Sequence, residues 1–211
     1  MELFIYIFAS LFSVINPLGA VPIFVGLTQD DTKKERQRIS LWTAINVFLI
    51  MIISFYVGQY VLAFFGISID ALRIAGGFII VNSGFSLLNR KFSKSRGVNK
   101  EVETDAQKRN DIALTPLAIP MLAGPGSISL LIAMYQDYKD VIQSQIIACL
   151  AMAAVALVIF LIMRSSHYLD RILGASGIVA ISRIIGFIVI AIGVQYIASS
   201  IVNIVESIDF G

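Results

Sequence analysis

Residues 39–69 read ISLWTAINVFLIMIISFYVGQYVLAFFGISI, a run that contains no Asp, Glu, Lys or Arg. The hydrocarbon core of a bilayer is about 30 Å thick, and each residue of an α-helix rises about 1.5 Å. A helix therefore needs roughly 20 apolar residues to cross the membrane. This run exceeds that length, so it predicts a transmembrane helix.

Five further runs lack acidic and basic residues, and they are spread over the whole chain. The shortest is long enough to cross a bilayer only when its flank back to Ile67 is included. Together with the first run they predict an all-α membrane protein with six transmembrane helices. The loops between them are short and leave no room for a soluble domain. The five runs are residues 3–29, 74–89, 112–136, 141–163 and 184–205.

The composition of the chain agrees with a membrane protein. Of its 211 residues, 57% are hydrophobic and 14% are charged, whereas an ordinary soluble domain is about 25% charged. This composition argues against a soluble enzyme, a disordered chain and a nucleic-acid-binding domain. The single cysteine, Cys149, excludes an intramolecular disulfide. The first residues, Met-Glu-Leu-Phe, lack a basic segment, so we expect the first run to belong to the mature protein.

The basic residues are distributed unevenly along the chain and predict its orientation. Fourteen of the sixteen Lys and Arg residues lie in the loops after the first, third and fifth runs or at their edges. The two exceptions, Arg73 and Lys139, fall on the opposite side of the membrane. Because basic residues in short loops remain cytoplasmic, we expect these three loops in the cytoplasm and both termini outside. His167 is expected in the third of these loops as a solvated residue.

Two pairs of motifs suggest an internal repeat. The third run begins with Arg73-Ile-Ala-Gly76, and the sixth with Arg183-Ile-Ile-Gly186. The first run contains Asn16-Pro-Leu-Gly19, and the fourth contains Gly124-Pro-Gly-Ser127. Both pairs are separated by about 110 residues, so each half of the chain carries the same order of features.

A repeat of three spans has a geometric consequence. After an odd number of crossings, the second copy enters the membrane from the opposite side, and the two copies are inverted. We therefore predict two inverted three-helix repeats, residues 1–90 and 111–211, joined by a cytoplasmic linker over residues 91–110. Inverted repeats of this kind are common in secondary transporters.

All five prolines of the chain lie in the first and fourth runs. A proline inside a helix removes one hydrogen bond and clashes with the preceding turn, at a cost of about 3 kcal/mol. We therefore predict that helices 1 and 4 are broken, either as interrupted spans or as re-entrant hairpins. Backbone groups freed in a membrane must meet other protein groups or line a wet cavity. The prolines are Pro17, Pro22, Pro116, Pro120 and Pro125.

Breaks at matching positions of two repeats point to a central binding site. The N–H end of a half-helix favours a carboxylate, and its carbonyl end favours a cation. Two facing breaks would therefore suit a zwitterion. The polar side chains near the breaks are small and uncharged, which favours a small solute without net charge. They are Ser13, Asn16, Thr115, Ser127 and Ser129.

Other kinds of chemistry leave no signature in the sequence. No predicted span has an Asp or Glu near its middle, so coupling to protons or sodium is not visible. There is no H-E-x-x-H motif and no P-loop. We expect neither an enzyme nor a cofactor, a metal or a nucleic-acid partner. Asp70 and Arg73 are three residues apart and could pair on one helix face.

The sequences INPLGAVPIF at residues 15–24 and PLAIPMLAGPGSI at residues 116–128 resemble the MarC family of integral membrane proteins. The resemblance covers nearly the whole chain. It implies a secondary transporter of small neutral amino acids, of the glycine and alanine class, in the bacterial inner membrane. By the same resemblance, eight residues would line the transport site, to which the residue pattern adds Ser127. The eight are Asn16, Pro17, Gly19, Pro22, Pro120, Gly124, Pro125 and Gly126.

Several alternatives remain open at the level of the sequence. The protein could export another small metabolite or a drug, form a channel, or serve as a non-transport assembly or regulatory protein of the membrane. The expected partners are a small neutral amino acid, membrane lipid and a coupling ion, either a proton or sodium. A homo-oligomer is compatible with the glycines of the third and sixth runs.

Overall fold

A computed structural model describes residues 1–28, 31–88 and 113–209, and every regular element in these ranges is helical. The predicted linker over residues 91–110 lies outside the described residues. The elements are α1 (Glu2–Ile15), α2 (Pro17–Leu27), α3 (Lys33–Phe65), α4 (Ile69–Leu88), a π-helical segment (Ala113–Leu122), α5 (Pro125–Tyr138), α6 (Ile142–Arg164) and α7 (Ser166–Asp209).

Four described helices are long and apolar enough to cross a membrane, and a fifth span forms if one bent pair is counted. The four are α3, α4, α6 and the Ser176–Ser207 part of α7. The pair is α1 with α2, which meet at an angle of 42°. The described residues thus form an all-helical structure with four or five candidate membrane spans. The structure does not confirm six spans, because the fourth predicted run is divided between the π-helical segment and α5.

Local sequence explains where α3 begins and ends. The Thr32 N–H donates to Glu35 Oε2 at 2.8 Å, and the Glu35 N–H donates to Thr32 Oγ1 at 3.3 Å. This reciprocal cap satisfies backbone donors that the first turn leaves free. At the other end, Gly66 adopts a left-handed conformation with φ of 65°, which a residue with a Cβ would adopt only with strain.

The last helix begins earlier than the sequence predicts. The predicted sixth span starts at Ile184, and the residues before it were expected to form a loop, but α7 already begins at Ser166. A non-helical backbone at Gly174, with φ of 59°, separates its first turns from the membrane span. The prediction was wrong because an arginine, here Arg183, ends an uncharged run without ending a helix.

The two broken regions, α1 with α2 and the π-helical segment with α5, form the centre of the bundle. They supply nine of the twelve largest fully buried side chains, and α3 and α4 supply the other three. The predicted first and fourth runs therefore supply most of the buried core of the bundle. The nine are Ile7, Leu11, Ile15, Phe24, Leu117, Met121, Leu122, Leu130 and Leu131.

Helices α4 and α7 pack with their backbones in close contact at two pairs of glycines. A Cβ atom on Gly77 would lie 2.7 Å from the Gly193 carbonyl oxygen, and one on Gly193 would lie 2.7 Å from the Gly77 carbonyl oxygen. Gly84 and Gly186 oppose each other in the same way, at 2.8 and 3.0 Å. The order of the pairs shows that the helices run antiparallel. The hydrophobic effect does not drive helices together inside a membrane, and small residues instead let the two backbones approach closely.

Candidate functional site

The first break is a single residue, Asn16, between α1 and α2. Its φ of 45° and ψ of 67° are left-handed, and it is the one non-glycine residue with positive φ in the described ranges. Pro17 disfavours the α conformation for the residue before it, and Asn tolerates the left-handed region better than most residues. The Asn16 N–H donates to the Phe12 carbonyl at 2.9 Å and ends α1. Its side-chain Oδ1 accepts from the Gly19 N–H at 3.3 Å and caps α2.

The amide nitrogen of Asn16 is left without a partner. The residue has no exposed surface, and Nδ2 has no hydrogen-bond partner in the structure as described. A buried donor that remains unsatisfied costs about 1–3 kcal/mol. Such a donor at a helix break is available to a ligand that carries an acceptor.

The second break has a different construction. The Ala123 N–H donates to the Ala118 carbonyl at 2.8 Å, five residues back, which closes a widened π-type turn. Pro116 and Pro120 contribute no backbone N–H to this segment, and proline clashes with a regular α-helical turn. Gly124 is then extended, with φ of −86° and ψ of 173°, and Pro125 begins α5.

The side chain of Ser127 is used within the second break. Its hydroxyl donates to the Gly124 carbonyl at 2.9 Å, and the Ile128 N–H donates to the same oxygen at 3.1 Å. Ser127 is 3% exposed. The second break therefore offers backbone N–H groups of the first turn of α5, while its hydroxyl already has an acceptor.

The two breaks lie next to each other in the bundle. Gly126 is buried, and a Cβ atom on it would lie 3.8 Å from Val14 Cγ1 and 3.2 Å from Ile80 Cγ1. The beginning of α5 thus packs against the end of α1, two residues before Asn16, with α4 covering the junction. Each break also starts a new helix, so two positive dipole ends belong to this region.

The predicted site residues separate into two groups. Asn16, Pro17, Gly19, Gly126 and Ser127 are buried at the two breaks, and Gly124 is half-buried between them. Pro22 lies inside α2 and is exposed, as is Pro125 at the start of α5. The two exposed prolines shape the backbone, and their rings do not line a buried site. Pro120 lies in the π-helical segment, and its side chain is outside what the structure describes.

One end of the bundle carries polar contacts that differ from the predicted pairing of Asp70 with Arg73. The Arg73 guanidinium forms an ion pair with Asp137, which joins α4 to the end of α5. Asp70 accepts from the Asn203 amide at 3.2 Å, which joins α4 to α7. These partners replace the predicted pairing of Asp70 with Arg73. The signal was present, because the predicted topology places all four residues on one side of the membrane.

At the opposite end, His167 is not the solvated loop residue that was predicted. It lies in the first turn of α7, half-buried, with Nε2 3.4 Å from Thr28 Oγ1. The Arg36 Nε–H donates to the Thr28 carbonyl at 3.0 Å. Burial and the nearby Arg36 charge lower the pKa of His167, and Asp170 partly opposes this shift. The neutral imidazole is therefore favoured.

The sequence of the chain is similar to that of a known family of membrane proteins. The sequence profile described as "MarC family integral membrane protein" matches residues 1–205. This chain belongs to the MarC family. The family resemblance seen in the two proline-rich stretches is thereby confirmed over nearly the whole chain.

Two relatives show how far this MarC family member resembles curated proteins. A membrane protein of Buchnera aphidicola is 34% identical over 208 residues, covering 98% of this chain and 95% of the relative. The inner membrane protein MarC of Escherichia coli K12 is 38% identical over 202 residues, covering 91% and 90%. Together with the apolar helices, these names support a bacterial inner-membrane protein. No solved structure matches the chain.

Proposed function

We propose that this MarC family member is a secondary transporter of small neutral amino acids, of the glycine and alanine class, across the inner membrane. The observation that carries the proposal is the fully buried Asn16, whose Nδ2 has no partner and which lies where two broken helices meet. An unsatisfied donor in the centre of a membrane bundle is costly, and a solute carboxylate would remove that cost.

The surroundings of the breaks favour a solute that is small and has no net charge. The first turns of α2 and α5 supply positive dipole ends for a carboxylate. The carbonyl ends of α1 and of the π-helical segment supply negative ends for an ammonium group. Gly126 lies close to Val14 and Ile80, which leaves little room for a large side chain. Asn16 and Ser127 add polarity without charge.

The packing of the helices supports two inverted repeats. With an offset of 109 residues, one less than the offset between the motifs that begin at Arg73 and Arg183, Gly77 corresponds to Gly186 and Gly84 to Gly193. The contact of Gly77 with Gly193 then becomes the contact of Gly186 with Gly84, and both occur. Two further contacts have counterparts in the other repeat. The contact of α4 with α5 corresponds to that of α7 with α2. The contact of α3 with the π-helical segment corresponds to that of α6 with α1. Rocking of one repeat against the other would give alternating access.

Uptake by liposomes that contain the purified protein tests the proposal. We expect saturable uptake of labelled glycine, alanine or serine, with a dependence on a proton or sodium gradient that identifies the coupling ion. Uptake that does not saturate would indicate a channel. No uptake above empty liposomes under any gradient would reject the amino acid substrate and favour an exporter of another metabolite or a non-transport role.

A pair of variants connects uptake to the breaks. Gly126→Val inserts an isopropyl group between α5, α1 and α4, and we expect it to abolish uptake while the protein remains folded in the membrane. Gly26→Val is the matched control, because no atom lies within 4 Å of a Cβ at that position. Equal uptake by both variants would reject the site at the breaks. The predicted outside location of both termini is tested by fusing a topology reporter to each.

A further inference from the structure

A cleft of about 370 Å³ lies between α3 and α6, on the outer surface of the bundle and away from the helix breaks. All of its lining side chains are apolar. Its floor is formed by Ala44 and Ala156, which are 5% and 8% exposed, and its rims by Leu41 and Leu157, which are about half exposed. A narrow apolar cleft on a membrane-spanning surface is suited to binding an acyl chain.

One end of the cleft carries two arginines. Arg164 follows Phe160, which closes this end, by one helical turn, and its guanidinium lies 5.8 Å from the Phe160 ring centre. With its amide oxygen turned toward Arg164, Gln37 accepts from Nε at 3.0 Å and from Nη2 at 2.9 Å. Arg38 is exposed three residues before Leu41, on the same face of α3. The Arg164 guanidinium is thus held by Gln37 on one side and is open to its surroundings on the other.

The length of α6 places these arginines at the membrane surface. Its 23 residues span about 35 Å at 1.5 Å per residue, which is close to the thickness of the hydrocarbon core. Arg164 is the last residue of α6 and therefore lies where the lipid headgroups begin. The cleft extends from that level into the hydrocarbon region.

We propose that this cleft binds a phospholipid with an anionic headgroup. One acyl chain lies in the cleft between α3 and α6, and the headgroup phosphate lies against Arg164 and Arg38. Guanidinium groups bind phosphate through paired hydrogen bonds, and basic pockets between membrane helices attract anionic lipids. A helix from a second copy would fill the apolar cleft but would leave both arginines without an anion. The site is separate from the proposed transport site.

Native mass spectrometry of the full-length protein in detergent tests this site. The probes are phosphatidylglycerol and phosphatidylcholine with identical acyl chains. We expect a saturable phosphatidylglycerol adduct that phosphatidylcholine does not match. Each of Arg38→Gln and Arg164→Gln should weaken it about fivefold, and the double variant about 25-fold. Arg171→Gln is the matched control, since it removes one arginine at the same end of the bundle without touching the cleft.

A second variant pair tests the cleft without changing charge. Ala153→Phe fills the cleft from its exposed side and should weaken the phosphatidylglycerol adduct, whereas Ala198→Phe, at an exposed position of α7, should not. Equal binding of the two lipids, or unchanged binding by the double arginine variant, would overturn the proposal. The proposal would also be overturned if the protein carried no lipid adduct but formed a dimer that Ala153→Phe disrupts, because a second copy would then occupy the cleft.

Discussion

The two helix breaks interrupt the helical backbone with different residues. At the first break, a single left-handed Asn16 turns the chain, and α2 continues at 42° to α1. At the second, a π-type turn and an extended Gly124 separate two segments. The first break leaves a buried amide nitrogen without a partner, whereas the second uses its Ser127 hydroxyl locally.

This difference suggests a division of roles between the breaks. The first break provides a specific side-chain donor in a rigid turn, and so it is suited to recognising a solute. The second provides backbone N–H groups and a glycine-rich junction that can change its shape. If the breaks move relative to each other during transport, we expect the second to change shape more readily, because Gly124 and Gly126 allow more backbone conformations there.

The largest effect is expected from Asn16→Gly. Glycine adopts the left-handed conformation freely, so the turn is kept while the amide is lost. A hydrogen bond to a charged group contributes about 1.5–3 kcal/mol, so the apparent affinity for alanine should fall roughly 10-fold to 100-fold in uptake assays. Asn82→Ala, at an exposed position of α4, is the control. Unchanged uptake by Asn16→Gly would remove the first break from the site.

The glycine pairs of α4 and α7 test whether the two halves of the chain are structurally equivalent. Gly77→Ala and Gly186→Ala each force a Cβ toward a backbone carbonyl of the opposite helix. Overpacking of this kind costs about 1–3 kcal/mol, and thermal unfolding in one detergent should show similar losses for the two variants. Gly26→Ala, where the space is open, should be neutral. A loss in only one of the two glycine variants would contradict the inverted-repeat equivalence.

Ser127→Ala should have a smaller effect than Asn16→Gly. The hydroxyl bonds to the Gly124 carbonyl, so its removal should lower the free energy of unfolding by about 0.5–1.5 kcal/mol. The apparent affinity for alanine should change by no more than about threefold, because the hydroxyl is not directed at a solute. If Ser127→Ala lost uptake as completely as Asn16→Gly, the two breaks would be functionally equivalent.

The smallest effect concerns pH and His167. Its pKa is lowered in the folded state, so the unfolded chain binds a proton more readily as the pH falls through about 6.5. The difference in proton binding costs no stability above that pH. Below it, the loss of stability grows as the pH falls, and it becomes constant once the folded-state pKa of His167 has been passed. Thermal unfolding of wild type should therefore lose slightly more stability between pH 7 and pH 5 than His167→Gln. An identical pH dependence would show that His167 is solvated.

The sequence predicted the features that follow from composition and from backbone chemistry. Long uncharged runs indicated the membrane helices α3, α4 and α6, because the bilayer sets both length and polarity. Prolines indicated the breaks, because they lack an N–H wherever they occur. Asn16 is buried beside Pro17 at the first break, and its place in a binding site stays a prediction.

What the sequence could not predict depends on three-dimensional neighbours. The first turns of α7 were expected to be a loop because Arg171 and Arg183 interrupt the apolar pattern, yet a helix can carry arginines at the membrane surface. Pro22 was expected to line the site, but its exposure depends on which face of α2 meets the bundle. The partner of Arg73 is Asp137, 64 residues away. The predicted topology places both residues on one side of the membrane, but no local pattern identifies them as a pair.

Equilibrium binding of labelled alanine to the purified protein in lipid nanodiscs shows whether the two breaks form an amino acid site. If the breaks bind a carboxylate, binding should be saturable, glycine should displace the label, and alaninamide, which lacks the carboxylate, should not. Absence of saturable binding above empty nanodiscs, or displacement by alaninamide as effective as that by glycine, would contradict the claim that the two breaks form an amino acid site.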